Sequence, residues 1–321
     1  MSTIGRHVLK LSGYAPALPT PFDAADGIDG AAFERLCDLQ IRCGATALVV
    51  CGTTGEAPNL LAQEHGKLVR IAVEVARGRV PVIAGAGSNA TDHAIELTTD
   101  AEANGADAIL SVVPYYNRPT QEGLYCHFRA IAASTGLPVI LYDVPSRCAR
   151  GLADETIARL AEVPRIIGLK DASGDSGRPA RLRPVVGEHF RLLSGDDRTA
   201  LGFIAQGGDG CISVASNVAP GLCRDMFLAL RNSQSVRARR LSLALAQLTT
   251  VLFRDPNPVP LKYALNLFGF MSPRVRLPLV ELGNAAKAEV ESVLVRLCDE
   301  YTESMIGNFA EPRCAKKAMV G

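Results

Sequence analysis

The chain has 321 residues, 48% of them hydrophobic, and carries 34 Lys plus Arg against 33 Asp plus Glu. A net charge of +1 leaves no basic excess for nucleic acid or an anionic membrane, and no uncharged apolar run reaches the roughly 18 residues of a membrane span. Nine cysteines without a CxxC pair fit reduced thiols in a cytoplasmic protein, and five scattered histidines have no metal-ligand spacing, so neither metal nor cofactor is expected.

Residues 1–12, interrupted by Arg6, His7 and Lys10, make a poor signal peptide and read as a loose leader. From residue 13 onward a short apolar run followed by a helical stretch recurs. Strands are predicted at Ala15–Leu18, Ala47–Cys51, Val80–Ala84, Ala108–Val113, Pro138–Tyr142, Ile166–Lys170, Arg191–Ser194 and Gly210–Val214. Between them, Leu68, Ile71, Ala72 and Val75 fall at helical spacing, and Phe33, Leu36 and Cys37 begin a similar stripe. Asp29 and Asn89 are placed to cap the first and third helices. The loops Gly44-Ala45-Thr46-Ala47, Gly105-Ala106-Asp107-Ala108 and Gly207-Gly208-Asp209-Gly210 resemble one another, which suggests a repeated βα unit.

Eight near-continuous apolar strands alternating with helices require parallel pairing with covered faces. An open doubly wound sheet and a closed (β/α)8 TIM barrel both satisfy this. The count of eight, the lack of a GxGxxG after the first strand, and polar residues clustered past the strand ends favour the barrel, over residues 13–233. Strands then stop. Helices predicted at Ser235–Phe253, Pro258–Phe268 and Asn284–Tyr301 form a C-terminal helical appendage over residues 234–301, and residues 302–321 read as a loose tail.

The chemistry gathers past the strands. The sixth delivers Lys170 from an apolar run into Asp171-Ala172-Ser173-Gly174. Desolvation there disfavours the ammonium, and a neutral amine can form a Schiff base with a ketone, whereas most lysines are simply solvated. The second strand ends in Gly52-Thr53-Thr54-Gly55-Glu56, either an anion cradle or an ordinary turn. Tyr115 and Tyr116 follow the fourth strand, as catalytic phenols or as packing at an interface. Tyr142 ends the fifth as a candidate acid or base, and Arg147 beyond it binds either a substrate carboxylate or a structural partner. Asp196 and Asp197, past the seventh, read as helix caps. A lysine, tyrosines, threonines and an arginine on one barrel rim suit a Schiff-base enzyme acting on an α-keto acid.

With these motifs, and with Asp255-Pro256-Asn257-Pro258, the chain resembles the dihydrodipicolinate synthases of the dihydrodipicolinate synthase and N-acetylneuraminate lyase superfamily, over about residues 13–300. The resemblance implies a class I lyase in which Lys170 attacks pyruvate and Tyr142 moves protons with Thr53 and with Tyr116, the latter lent by a neighbouring subunit. Thr53 and Thr54 hold the pyruvate carboxylate, Arg147 meets the carboxylate of L-aspartate 4-semialdehyde, and Gly195 and Ile212 line the pocket. A homotetramer of tight dimers and a place in lysine and diaminopimelate synthesis are implied too. A related pyruvate aldolase or dehydratase acting on sugar acids is the alternative. Asp143, where asparagine is usual, and Cys148-Ala149, in place of Thr-Gly, flank the side expected for the second substrate and bear on aldehyde identity. A lysine-effector site is implied at His65, Asn89, His93 and Tyr115. His93 stands where a glutamate usually grips the amine, so weak lysine inhibition, or none, is expected.

Overall fold

The computed structural model describes Leu9 and residues 11–306. In chain order the barrel consists of β1 (Gly13–Pro16), α1 (Gly30–Arg42), β2 (Leu48–Val50), α2 (Ala62–Ala76), β3 (Val82–Gly85), α3 (Thr91–Ala103), β4 (Ala108–Val112), α4 (Gln121–Ala133), β5 (Val139–Asp143), the single-turn α5 (Pro145–Cys148), α6 (Asp154–Ala161), β6 (Ile166–Asp171), α7 (Arg178–Val186), β7 (Arg191–Ser194), α8 (Ala200–Ala205), β8 (Gly210–Ser213) and α9 (Pro220–Arg231). The strands pair in parallel in the order β1-β8-β7-β6-β5-β4-β3-β2. A parallel bridge from Ala17 to Val49, with the Leu18 N–H on the Val49 carbonyl at 2.9 Å, joins the two ends and closes the barrel.

Each strand is covered by helices outside and by its neighbours inside, so β5 buries all five of its residues. The expected stripes face the barrel: Phe33, Leu36 and Cys37 of α1 and Leu68, Ile71 and Ala72 of α2 are buried. The recurrent entry loops have a physical cause. Gly44, Gly105 and Gly207 take left-handed φ of +93°, +88° and +100°. Two residues beyond the latter two glycines, Asp107 and Asp209 accept the N–H groups of Val82 and Leu192, each at 2.8 Å, at the start of the preceding strand. Asp29 caps α1 through the Ala32 N–H at 2.9 Å. Asn89 does not cap α3: the helix starts one residue later, after Ala90, and the Ser88 hydroxyl takes the Ala90 N–H at 3.3 Å.

Beyond the barrel, α10 (Ser235–Leu252), α11 (Val259–Leu267) and α12 (Asn284–Tyr301) pack through Leu241, Leu245, Leu248, Val290, Leu294 and Leu297. Contrary to the expected loose ends, Leu11, Met305 and Ile306 are buried, and the Ile306 N–H bonds the Val218 carbonyl at 2.8 Å. Apolar side chains there gain more by burial than by solvation. The rest of the expected loose termini, residues 1–8, 10 and 307–321, lies outside the described residues. Among the described residues no helix is long and apolar enough to cross a membrane.

Candidate active site

The core of the site is one rung of the β5–β6 ladder. Tyr142 and Lys170 are register partners, and side chains alternate along a strand, so both project to the same face. Lys170 is 6% exposed and its Nζ lies 4.2 Å from the centroid of the Tyr142 ring. Lys170 makes no ion pair with any described carboxylate; the nearby Asp143 and Asp171 are both taken by Arg178. The amine sits over the ring face and makes no hydrogen bond to the phenol, so a proton passing between them must travel on substrate or water. Gly195 packs against the lysine from β7's end: a Cβ there would lie 3.0 Å from Lys170 Cγ and Cε. Ile212 is buried in β8.

The threonine loop is a tight turn between left-handed Cys51 and Glu56. The Gly55, Glu56 and Ala57 N–H groups are consumed within the turn, on the carbonyls of Gly52, Thr53 and Gly52. Those of Thr53 and Thr54 have no hydrogen-bond partner among the described residues. The donors left to the loop are therefore two amides and two hydroxyls. Thr54 is buried, and its Oγ1 accepts the Asn257 side-chain amide at 2.9 Å. A hydroxyl that already accepts has its own hydrogen left to donate. Glu56 anchors the loop from behind, accepting Lys262 Nζ at 2.6 Å and the Arg276 N–H at 3.0 Å. Lys262 is fully buried with its ammonium 4.1 Å from the Phe22 ring centroid. Burial pulls its amine down to about 8, against the opposing attraction of Glu56.

A cavity of about 440 Å³ is lined among others by Thr53, Tyr142, Arg147, His65, His93 and Tyr115, but not by Lys170, Thr54, Gly195 or Ile212. Arg147 is exposed on the single-turn α5 and has no ion-pair partner among the described residues. Cys148 beside it donates its thiol to the Val113 carbonyl at 3.1 Å, and burial pushes the thiol up to about 11, which disfavours the thiolate. Asp143 does not flank the second-substrate side: it follows Tyr142 on the strand, faces the other way, and is 1% exposed against Arg178.

Two further expected residues are also absent from the lining. Tyr116 is 90% exposed, has a left-handed φ of +73°, and does not line its own chain's cavity. Asn89 is also absent from the lining; its carbonyl accepts the Asn117 amide at 2.7 Å. The remaining effector candidates do share the cavity. His65 Nε2–H donates to the Gly85 carbonyl at 2.8 Å, which leaves a buried, unpartnered Nδ1, and burial lowers this imidazole so that it is neutral. His93 Nδ1 lies 3.2 Å from the Ser88 hydroxyl. No lining side chain is acidic.

Asp197 is not a helix cap. It crosses from the end of β7 to accept the N–H groups of Val214 and Ala215, at 2.8 and 3.0 Å, and the Ser213 hydroxyl at the end of β8. Burial raises its carboxyl in opposition to these bonds. Arg178 and Lys262 were not anticipated as supports either. The only signal of Lys262 in the sequence is that it is a cation within a segment that otherwise buries apolar residues, and Arg178, in a helix with two more arginines, has none.

Comparison with known proteins fits this geometry. Residues 10–297 match the model of the dihydrodipicolinate synthetase family. A 4-hydroxy-tetrahydrodipicolinate synthase of Hyphomonas neptunium is 51% identical, covering 88% of this chain and 97% of that protein. One from Anaplasma marginale is 46% identical over 90% and 96%. Among solved structures, a dihydrodipicolinate synthase from Bacillus anthracis superposes with a TM-score of 0.87 at 42% identity, covering 88% of this chain and 97% of its own. The chloride-inhibited, pyruvate-bound enzyme of Acinetobacter baumannii superposes at 0.86 with 40% identity, covering 88% and 98%. The chain belongs to the dihydrodipicolinate synthetase family.

Proposed function

We propose that the chain is a class I lyase that condenses pyruvate with L-aspartate 4-semialdehyde to 4-hydroxy-tetrahydrodipicolinate, through a Schiff base on Lys170. The observation that carries this is the buried Lys170 amine against Tyr142, within one rung of the ladder, beside a threonine turn with unspent donors. The Thr53 and Thr54 amides and hydroxyls hold the pyruvate carboxylate. The Lys170 amine adds to C2; Tyr142 delivers a proton to the departing oxygen, and water leaves as the imine forms. Loss of a methyl proton gives the enamine, whose carbon attacks the aldehyde. Arg147 receives the aldehyde substrate's carboxylate in a two-pronged contact. Intramolecular attack by the substrate's amine then releases the lysine. Gly195, without a Cβ, leaves Lys170 room to swing. The pyruvate-bound relative supports the first half of this sequence.

Tyr116 completes the proton relay only if it is inserted into another copy's cavity. Its exposure and left-handed backbone support a pair of chains exchanging this residue, and a tetramer built from such pairs. One solved relative, 37% identical, is described as a monomeric variant, so assembly varies within the family. A biosynthetic reaction of this kind supports a cytoplasmic protein in lysine and diaminopimelate synthesis. Borohydride reduction with pyruvate, followed by peptide mass mapping, is expected to give one pyruvyl adduct, on Lys170. An adduct elsewhere, or none, refutes the proposal, and turnover of sugar aldehydes in preference to the semialdehyde refutes its second half.

The second part of the cavity is a degenerate effector site. Its neutral His65, its His93 and the lack of any acidic lining residue leave nothing to balance an ammonium. Calorimetry is expected to show no lysine binding in the micromolar range; binding there refutes this reading.

A further inference from the structure

We propose that Arg178 is a positioning residue for the reaction: one buried guanidinium sets the relative placement of Tyr142, Lys170 and the loop carrying Arg147. The proposal rests on the Schiff-base reading above and concerns groups that touch no substrate. Arg178 is 5% exposed at the start of α7. Its Nη1 donates to Asp143 Oδ2 at 2.7 Å and to Asp171 Oδ2 at 3.2 Å, and its Nε donates to Asp154 Oδ1 at 2.8 Å. Its Nη2 donates to the Leu152 carbonyl. Asp143 and Asp171 are themselves register partners, one residue beyond the Tyr142–Lys170 rung. The guanidinium therefore clips together the two strand tips directly behind the two reacting side chains. The same cluster holds the far end of the Arg147 loop, because Asp143 Oδ1 also accepts the Leu152 N–H at 3.2 Å.

Beside the regular ladders of β5 to β4 and of β6 to β7, the irregular pairing of these two strands gives such a clip a role. The β5–β6 ladder is irregular between Val139 and Ile140: Val139 pairs with Ile166 but Ile140 pairs with Gly168. An extra residue in one strand means that register at the tips is not transmitted from the strand starts. A slip of one residue would turn Lys170 out of the barrel and Asp171 into it. Two carboxylates side by side at the tips would also repel each other, and burial already raises the Asp143 carboxyl. A single shared guanidinium converts this repulsion into attraction, and its planar fork reaches several acceptors in fixed directions where an ammonium would not.

The test uses full-length Arg178→Lys and Arg178→Met, with Arg181→Ala as a neighbouring surface control, each assayed for melting, kcat, both KM values and the rate of borohydride trapping with pyruvate. A displacement of reacting groups by about 1 Å costs about 100-fold. Arg178→Lys is expected to stay folded, lose kcat and trapping rate by about that factor, and keep both KM values within about threefold. Arg181→Ala is expected to keep the parent kcat. If Arg178→Met does not fold, Asp143→Ala and Asp143→Asn replace it: alanine is expected to lose activity and asparagine, which keeps an accepting oxygen, to restore most of it. A folded Arg178→Lys with parental kcat and trapping rate overturns the proposal, as does equal activity of the two Asp143 variants. If the parent chain forms no adduct, the Schiff-base reading fails instead, and the positioning role falls with it.

Discussion

Two buried cations brace the barrel rim, and they do so in opposite ways. Around Arg178 the cation is the hub: one guanidinium reaches Asp143, Asp154, Asp171 and the Leu152 carbonyl. Around Lys262 the carboxylate is the hub: Glu56 gathers the ammonium, the Arg276 N–H and the Asn59 amide, at 2.6, 3.0 and 3.3 Å. Arg178 ties neighbouring elements of the barrel wall together. Glu56 fastens a barrel loop to the C-terminal helices. In both places the residue with the most bonds is the one whose loss leaves the most unsatisfied partners, whatever its charge.

That difference predicts an order of damage. Glu56→Ala is expected to be the worst, leaving the Lys262 ammonium buried and unpaired, at about 3–5 kcal/mol. Lys262→Met should cost less, because Glu56 keeps two other donors; urea melts that reverse this order would sink the comparison. Acid supplies a loss next in size that belongs to neither hub. Burial lowers His127 to about 4, so the unfolded chain binds its proton first. Its contribution is full above about 6.5, is lost as pH falls toward 4, and amounts to at most about 3 kcal/mol. His127→Phe should flatten that part of the stability profile; an unchanged slope would show that other groups control it.

Smaller effects sharpen the comparison. Asn257→Ala takes one spoke from the threonine loop and should cost about 1 kcal/mol of stability while raising the pyruvate KM about tenfold. A lowered kcat with unchanged KM would mean that Thr54 does not depend on this amide. Smallest is Arg181→Ala at the solvent edge of the Arg178 cluster, where side-chain exposure of 53% screens the pairs with Asp154 and Asp175. A change above about 0.5 kcal/mol would show that the cluster extends further outward than its geometry indicates.

The barrel was legible because its signal is local. Each strand is an apolar run, each helix a stripe, and Lys170 and Tyr142 fall at strand ends whichever way the sheet closes. The braces were not legible, because burial of a cation depends on what arrives from elsewhere. Arg178 sits in a polar stretch that reads as solvated until the tips of β5 and β6 align beside it. Lys262 meets Glu56 from 206 residues away, and Asn257 meets Thr54 from 203. Asp143 was misjudged for a different reason. Strand alternation next to an inward Tyr142 already turns it outward, and closeness in sequence to Arg147 misled. Asn89 was misjudged by one residue, within the ordinary uncertainty of a helix start.

The fastening of the threonine loop by Asn257, Lys262 and Arg276 has a consequence for biosynthesis of the chain itself. Translation delivers all eight strands, and with them the lysine, the tyrosines and the threonines, well before those three residues emerge. A nascent chain can thus own all of these side chains and still lack the struts that hold the threonine loop. The loop therefore gains its final support late, with the last fifth of the polypeptide.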